Sequence, residues 1–286
     1  MTSYPDVPAG QPLVLFFHGN SFPAGTYNMM LNDLRRRGMQ VQALKKIGHN
    51  PAYPVTSNWP HLVEEIHAFA KPLIAAHSGP VVLVGHSLGG MLSLMLAAQY
   101  PRLAHAVVMV DAPALGGLRA KALHLSKTLS LTSKISPGAI SRKRRNTWHS
   151  AEEVHAHFLS KKVFARWDPQ VLNDYVLYGT HEEKTDEGVQ RVLSFDRNIE
   201  TQIYNSVPHN LERLLKKYPL ACPVSLVAAR HSNEMRLAGF DFSQKVTKGR
   251  ICTIDGTHLV PMEKPMVTAA AIEASILNML SLKASK

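Results

Sequence analysis

The sequence predicts an α/β fold: a mostly parallel sheet flanked by helices, with one inserted helical segment. Three observations carry this. Apolar runs of strand length alternate with amphipathic stretches of helix length from residue 13 onward. One run, Pro80-Val81-Val82-Leu83-Val84, passes through Gly85-His86-Ser87-Leu88-Gly89 directly into the helix-like Gly90-Met91-Leu92-Ser93-Leu94-Met95-Leu96-Ala97. Residues 113–215 then differ in texture, with several helix-like pieces and no comparable apolar strand run. Such alternation implies parallel strands joined by right-handed crossovers, with ligands at the carboxyl ends of the strands.

The elements follow in order. Leu13-Val14-Leu15-Phe16-Phe17 reads as a buried strand. Residues 25–37 put Tyr27, Met30, Leu31 and Leu34 on one face and stop at Gly38, as a helix with a glycine just past its end does. After the strand Gln40-Val41-Gln42-Ala43-Leu44, a Pro- and Asn-rich loop over 48–60 leads to a helix bearing Leu62, Ile66, Phe69 and Leu73. The Ser87 strand and helix come next, then the strand Ala106-Val107-Val108-Met109-Val110, ending at Asp111. Inside the insertion, Ser150 with Glu153 makes a capping box before Val154, Phe158 and Leu159, and Asp168-Pro169 opens another helix. Strand-like runs at 223–229 and 250–254 and a helix over 265–282 complete the chain. The expected division is a core of 1–112 and 216–286 around an insertion of 113–215, with no internal repeat.

Ser87 at the apex of a strand-turn-helix has the setting of a nucleophile elbow. Gly85 and Gly89 flank it where the strand and helix backbones come too close for most β-carbons. The turn lifts the hydroxyl above the sheet and puts the main-chain N–H of Leu88, at a helix start, where an oxyanion would form. Upstream, His18-Gly19-Asn20-Ser21 follows the first strand, and the N–H near Asn20 is a candidate second oxyanion donor. Downstream, Asp255-Gly256-Thr257-His258 follows the last strand, and His258 is the natural base, since a neutral imidazole can take the serine proton and return it. Taken singly, each piece also reads as an ordinary loop histidine or structural turn; the three at strand ends in this order point to one site.

With His18-Gly19, the Gly85-His86-Ser87-Leu88-Gly89-Gly90 elbow, and Gly256-Thr257-His258 with its Pro261-Met262-Glu263-Lys264-Pro265 tail, the chain resembles the α/β-hydrolase superfamily over nearly its whole length. The stretches Asn20-Ser21-Phe22-Pro23-Ala24-Gly25-Thr26-Tyr27 and Asn58-Trp59-Pro60 are similar to a set of bacterial hydrolases. The resemblance implies a serine nucleophile, no dehalogenation, and an insertion that forms a helical cap over the serine. It also implies a third member, a carboxylate that orients the histidine. In the superfamily this usually follows the strand before the histidine strand, where the sequence reads Arg230-His231-Ser232-Asn233-Glu234. Ser232 and Asn233 occupy the usual aspartate slots, so the expected acid is Glu234, one residue later, with Asp111 as the alternative. Against Asp111 stands its reading as a cap of the following turn through its own side chain.

The expected activity is hydrolysis of carboxylic esters or related acyl compounds through an acyl-enzyme. The competing readings are a C–C bond hydrolase of a diketone acid and a non-catalytic small-molecule binding protein on the same fold. The chain of 286 residues carries a formal charge of +11. Arg119, Lys121, Lys127, Lys134, Arg142, Lys143, Arg144 and Arg145 fall between Gly116 and Ser150 with no Asp or Glu among them. That run reads as a solvated face, an anionic-substrate guide, or, over 118–131, a helix resting weakly on a lipid surface. No nucleic-acid motif accompanies it. Trp148, Phe158, Phe164, Trp167, Tyr175 and Tyr178 are expected mostly to hold the insertion together, the rest to wall a pocket. Cys222 and Cys252 are expected as two reduced, buried thiols. The histidines lack metal-ligand spacing, so neither metal nor organic cofactor is expected. No signal peptide or transmembrane run is visible, and a cytoplasmic protein acting on a small acyl substrate is expected.

Overall fold

Strand β1 (Leu13–Phe17) leads through a 3-10 turn (Ala24–Tyr27) into α1 (Asn28–Arg36), β2 (Gln40–Ala43), α2 (Pro60–Ala75), β3 (Val81–His86), α3 (Leu88–Gln99) and β4 (Ala106–Val110). The computed structural model describes residues 7–117, 120, 141–186 and 188–282. The insertion continues with β5 (Thr147–Trp148), α4 (Ala151–Leu159), α5 (Pro169–Gly179), β6 (Thr180–Thr185), β7 (Gly188–Leu193), α6 (Arg197–Asn205) and α7 (Leu211–Lys217). The chain returns as β8 (Val224–Ala229), α8 (Asn233–Ala238), α9 (Asp241–Thr247), β9 (Ile251–Ile254), α10 (Val260–Glu263) and α11 (Pro265–Leu280).

The main sheet has the order β2-β1-β3-β4-β8-β9, with every neighbouring pair parallel. Its four central strands are buried from end to end, which is why they read as unbroken apolar runs. Alternation along them sorts side chains to two cores. Val14, Phe16, Val82, Val84 and Val108 pack with α1 and α11, whereas Leu13, Leu15, Phe17 and Leu83 pack with α2 and α3. Helix α3 is buried from Leu88 to Ala98, so it is apolar all round and shows no amphipathic stripe. At the sheet edge β9 leaves Cys252 exposed, contrary to the expected burial, because an edge strand has a neighbour on one side only. Cys222 is buried, and burial pushes its thiol up to about 12.

The insertion contains helices, but also an antiparallel sheet of order β5-β7-β6 that the sequence reading did not anticipate. The reason lies in β6: its residues after Thr180 are all exposed, so Thr-His-Glu-Glu-Lys-Thr carries no apolar alternation to read. The caps are as expected. Ser150 Oγ accepts from the Glu153 N–H, and Asp168 accepts from the Gln170 N–H with Pro169 at the first helical position. The rings of Trp148, Phe158, Phe164, Trp167 and Tyr175 pack on one another, and Phe22, from the loop after β1, joins them 5.5 Å from Trp167 and 5.7 Å from Tyr175. Tyr178 lies against Gly25, and the Asp168 N–H donates to the Met262 carbonyl at 2.9 Å. The insertion is thereby fastened both to the loop after β1 and to the segment after His258. The helix expected over 118–131 lies, but for Ala120, outside the described residues, as do Arg119, Lys121, Lys127 and Lys134.

Candidate active site

Close approach makes the Ser87 turn. A β-carbon on Gly85 would sit 2.2 Å from the Gly89 carbonyl carbon, and one on Gly89 would sit 1.9 Å from the Phe17 carbonyl oxygen. Neither can be relieved by a side-chain shift, so both positions require glycine. Ser87 itself is held at φ 52°, ψ −114°, a strained conformation for a residue with a side chain. Its N–H is tied to the Val110 carbonyl at 3.0 Å. The same glycine contact packs the end of β1 onto the first turn of α3. This brings the loop bearing Asn20 against the helix start at Leu88, whose N–H has no partner within its own helix.

His258, from the loop after β9, spans the gap to Ser87. Its Nε2 lies 3.0 Å from Ser87 Oγ and its Nδ1 lies 2.7 Å from Asp111 Oδ2. Since a carboxylate only accepts, His258 Nδ1–H donates to Asp111 and leaves Nε2 free to accept the Ser87 hydroxyl. Asp111 is fully buried, with φ +40°. Its Oδ1 accepts the Ala229 N–H at 2.7 Å, and Oδ2 also accepts the Ser232 hydroxyl at 2.6 Å. Those bonds cross to β8 and the turn after it rather than capping its own turn.

The carboxylate on His258 is therefore that of Asp111, not that of Glu234. Glu234 lies exposed in the first turn of α8. The cause is local. Ser232 caps α8 by accepting the Met235 N–H, which turns Met235 into the core and Glu234 outward. Ser232, in the slot where an aspartate was expected, reaches the site by donating to Asp111. The sequence signal for it was the substitution itself, a short hydroxyl residue where the resemblance implied a carboxylate.

The neighbouring histidines are neutral. Burial above all holds His86 down at about 3 and His18 at about 4. In the unfolded chain both titrate near 6.5. As pH falls below that value the unfolded state takes up protons that the folded state refuses, so stability is lost progressively towards pH 4. Glu65, pushed up to about 7 by burial, acts in the opposite sense, losing stability as pH rises through 7, and reduces the slope between pH 5 and 6.5. The expected result is a urea midpoint that falls from pH 6.5 to pH 4, steepening below pH 5. A midpoint constant over that range would contradict the burial of both imidazoles.

Beside the Asn20 loop lies a polar cluster that the sequence reading missed. The Ser21 hydroxyl donates to Glu200 Oε1, and the same oxygen accepts from Arg144 Nη1 at 3.2 Å. Arg144 Nη2 lies 3.2 Å from the Tyr175 hydroxyl, and Asn20 Nδ2 donates to the Glu200 carbonyl at 3.1 Å. Glu200 is buried in α6, and no local signal distinguishes it from a surface glutamate of an amphipathic helix. Arg144, read as part of a basic face, is turned inward and neutralised. Arg145 pairs with Glu153 and lies over the Trp148 ring, while Arg142 and Lys143 are exposed. Among the described residues, no His, Cys, Asp and Glu side chains group as a metal site, and no helix is long and apolar enough to cross a membrane.

A model of the alpha/beta hydrolase family matches residues 14–271. The chain is 23% identical over 230 residues to a monoglyceride lipase homolog of monkeypox virus, covering 70% of this chain and 82% of that protein. It is 32% identical over 115 residues to lipase LipV of Mycobacterium tuberculosis, covering 40% of this chain and 42% of that one. With several other curated relatives the match likewise covers only 33% to 38% of their length. Among solved structures, E-2-(acetamidomethylene)succinate hydrolase superposes with a TM-score of 0.67 at 20% identity, over 94% of this chain and 93% of that one. The peroxisomal α/β-hydrolase Lpx1 of Saccharomyces cerevisiae superposes with a TM-score of 0.70 at 16% identity, over 95% and 78%. These similarities and the strand order agree: the chain belongs to the alpha/beta hydrolase family.

Proposed function

We propose that the protein is a serine hydrolase of carboxylic esters or related acyl compounds, working through an acyl-enzyme. The observation that carries this reading is the hydrogen-bonded chain from Ser87 Oγ through His258 to the buried Asp111. Ser87 attacks the acyl carbonyl as His258 Nε2 takes its proton, and the negative charge formed on the carbonyl oxygen is met by the N–H groups of Leu88 and Asn20. Asp111 fixes the imidazole tautomer and stabilises the imidazolium. His258 then protonates the leaving group, and water, activated by the same imidazole, releases the acid. The segment between β4 and β8 acts as a cap that walls the substrate from bulk water. Turnover of a panel of esters of graded acyl length, thioesters and diketone acids tests the reading. Esters are expected to be cleaved; cleavage confined to diketone acids would favour C–C hydrolysis, and no turnover at all would favour a binding protein.

Among the described residues of the basic run, Arg144 pairs with Glu200 and Arg145 with Glu153, which leaves Arg142 and Lys143 there to guide an anion. Both are exposed, where salt and water screen a charge, so reversing them to glutamate is expected to change kcat/KM for anionic and neutral esters alike, within about twofold at low salt. A loss confined to anionic esters, and erased by salt, would restore the steering role.

A further inference from the structure

Three loops of the site meet behind it at two buried side chains, Tyr27 and His86. The Gly19 N–H donates to Tyr27 Oη at 3.0 Å, Tyr27 Oη lies 2.8 Å from His86 Nδ1, and His86 Nε2 lies 2.8 Å from the His258 carbonyl oxygen. Elementary chemistry gives every bond its direction. A carbonyl only accepts, so His86 Nε2 carries a hydrogen; the ring is neutral, so Nδ1 is bare and accepts the Tyr27 hydroxyl hydrogen. Tyr27 thus donates to His86 while accepting from Gly19. The chain runs one way, from Gly19 through Tyr27 and His86 to the backbone of His258.

The other side of Gly19 is held as firmly. His18 Nδ1–H donates to the Gly19 carbonyl at 2.8 Å, while His18 Nε2 accepts the Ile47 N–H at 2.9 Å. That carbonyl belongs to the same planar peptide group as the Asn20 N–H, so fixing one fixes the direction of the other. A β-carbon on Gly19 would lie 2.7 Å from His86 Nδ1 and 3.1 Å from Tyr27 Oη, which leaves room for glycine alone.

We propose that Tyr27 and His86, assisted by His18, are positioning residues that brace the Asn20 oxyanion donor against the loop carrying His258. The proposal rests on the reading of Ser87 as nucleophile and Asn20 N–H as oxyanion donor, and adds what aims them. None of the three need touch substrate. Because an oxyanion exists only near the transition state, losing the brace lowers kcat and leaves KM nearly unchanged.

The test compares Tyr27→Phe, His86→Leu and His86→Gln, each checked for folding by its thermal midpoint. Removing a whole oxyanion donor costs about 10²- to 10³-fold, so misaiming one through Tyr27→Phe is expected to lower kcat about tenfold with KM within about twofold. Affinity for a trifluoromethyl ketone, which forms the oxyanion on Ser87, is expected to fall in step. His86→Leu is expected to lose more than His86→Gln, whose amide both accepts and donates. Hydrogen exchange of the Gly19 amide, which donates to Tyr27, followed by NMR, reads the brace without turnover and is expected to be slow in the wild-type protein and faster in Tyr27→Phe. Unchanged kcat and exchange in Tyr27→Phe, or a fall in kcat with ketone affinity intact, would overturn the proposal. If the wild-type protein cleaves no ester, the hydrolase reading fails while amide exchange still decides the brace.

Discussion

Asp111→Asn is expected to cut kcat by a large factor, on the order of 10²- to 10⁴-fold, while Glu234→Gln leaves it within about twofold of the wild type. Asparagine can still accept the Ala229 N–H through its carbonyl oxygen. Its amide nitrogen then faces His258 Nδ1 at the place where Oδ2 stood, 2.7 Å away. Two N–H groups cannot share that gap, so the imidazole shifts its hydrogen to Nε2, where it points at Ser87 and can no longer accept the hydroxyl proton. The defect lies in tautomer and charge rather than in folding, so circular dichroism and the thermal midpoint should move much less than the rate. Steady-state kinetics on the best ester of the panel decides it. A near-normal Asp111→Asn with a crippled Glu234→Gln would require a rearrangement of the loop after β8 during turnover.

Ser87→Ala is expected to lose turnover by roughly 10³-fold or more, because among the described residues no other hydroxyl or thiol lies on His258 Nε2. Ser87 is also conformationally strained, at φ 52°. Alanine keeps the same backbone, so the strain remains, and the variant is expected to fold with its thermal midpoint within a few degrees of the wild type. Residual hydrolysis above a tenth of the wild-type rate, with folding intact, would move the nucleophile elsewhere.

The sequence was most legible where one local rule decided the outcome. The apolar runs of β1, β3, β4 and β8 are buried on both faces and could be little else. Ser87 and His258 stand at strand ends beside glycines that close approach demands. The acid was less legible because two carboxylates stood at strand ends, and sequence position alone does not say which way a side chain points. One N-cap decided that, since Ser232 at the head of α8 turns Glu234 to solvent and lends its hydroxyl to Asp111. Arg144 and Glu200 were illegible for a different reason. They come from separate parts of the insertion, and each looks like a solvated charge until the fold brings them together. The antiparallel sheet of the insertion escaped because β6 exposes nearly all of its residues and so lacks a period-2 apolar pattern.

The central claim, that Ser87 is a nucleophile activated by His258 and Asp111, is tested most directly by treating the protein with a fluorophosphonate and locating the adduct by mass spectrometry. The expected result is one phosphonyl group per chain on Ser87, formed in step with loss of esterase activity, absent in Ser87→Ala and formed far more slowly in Asp111→Asn. An unmodified Ser87 in protein that has lost its activity, or a labelled Ser87 in protein that has kept it, would contradict the account.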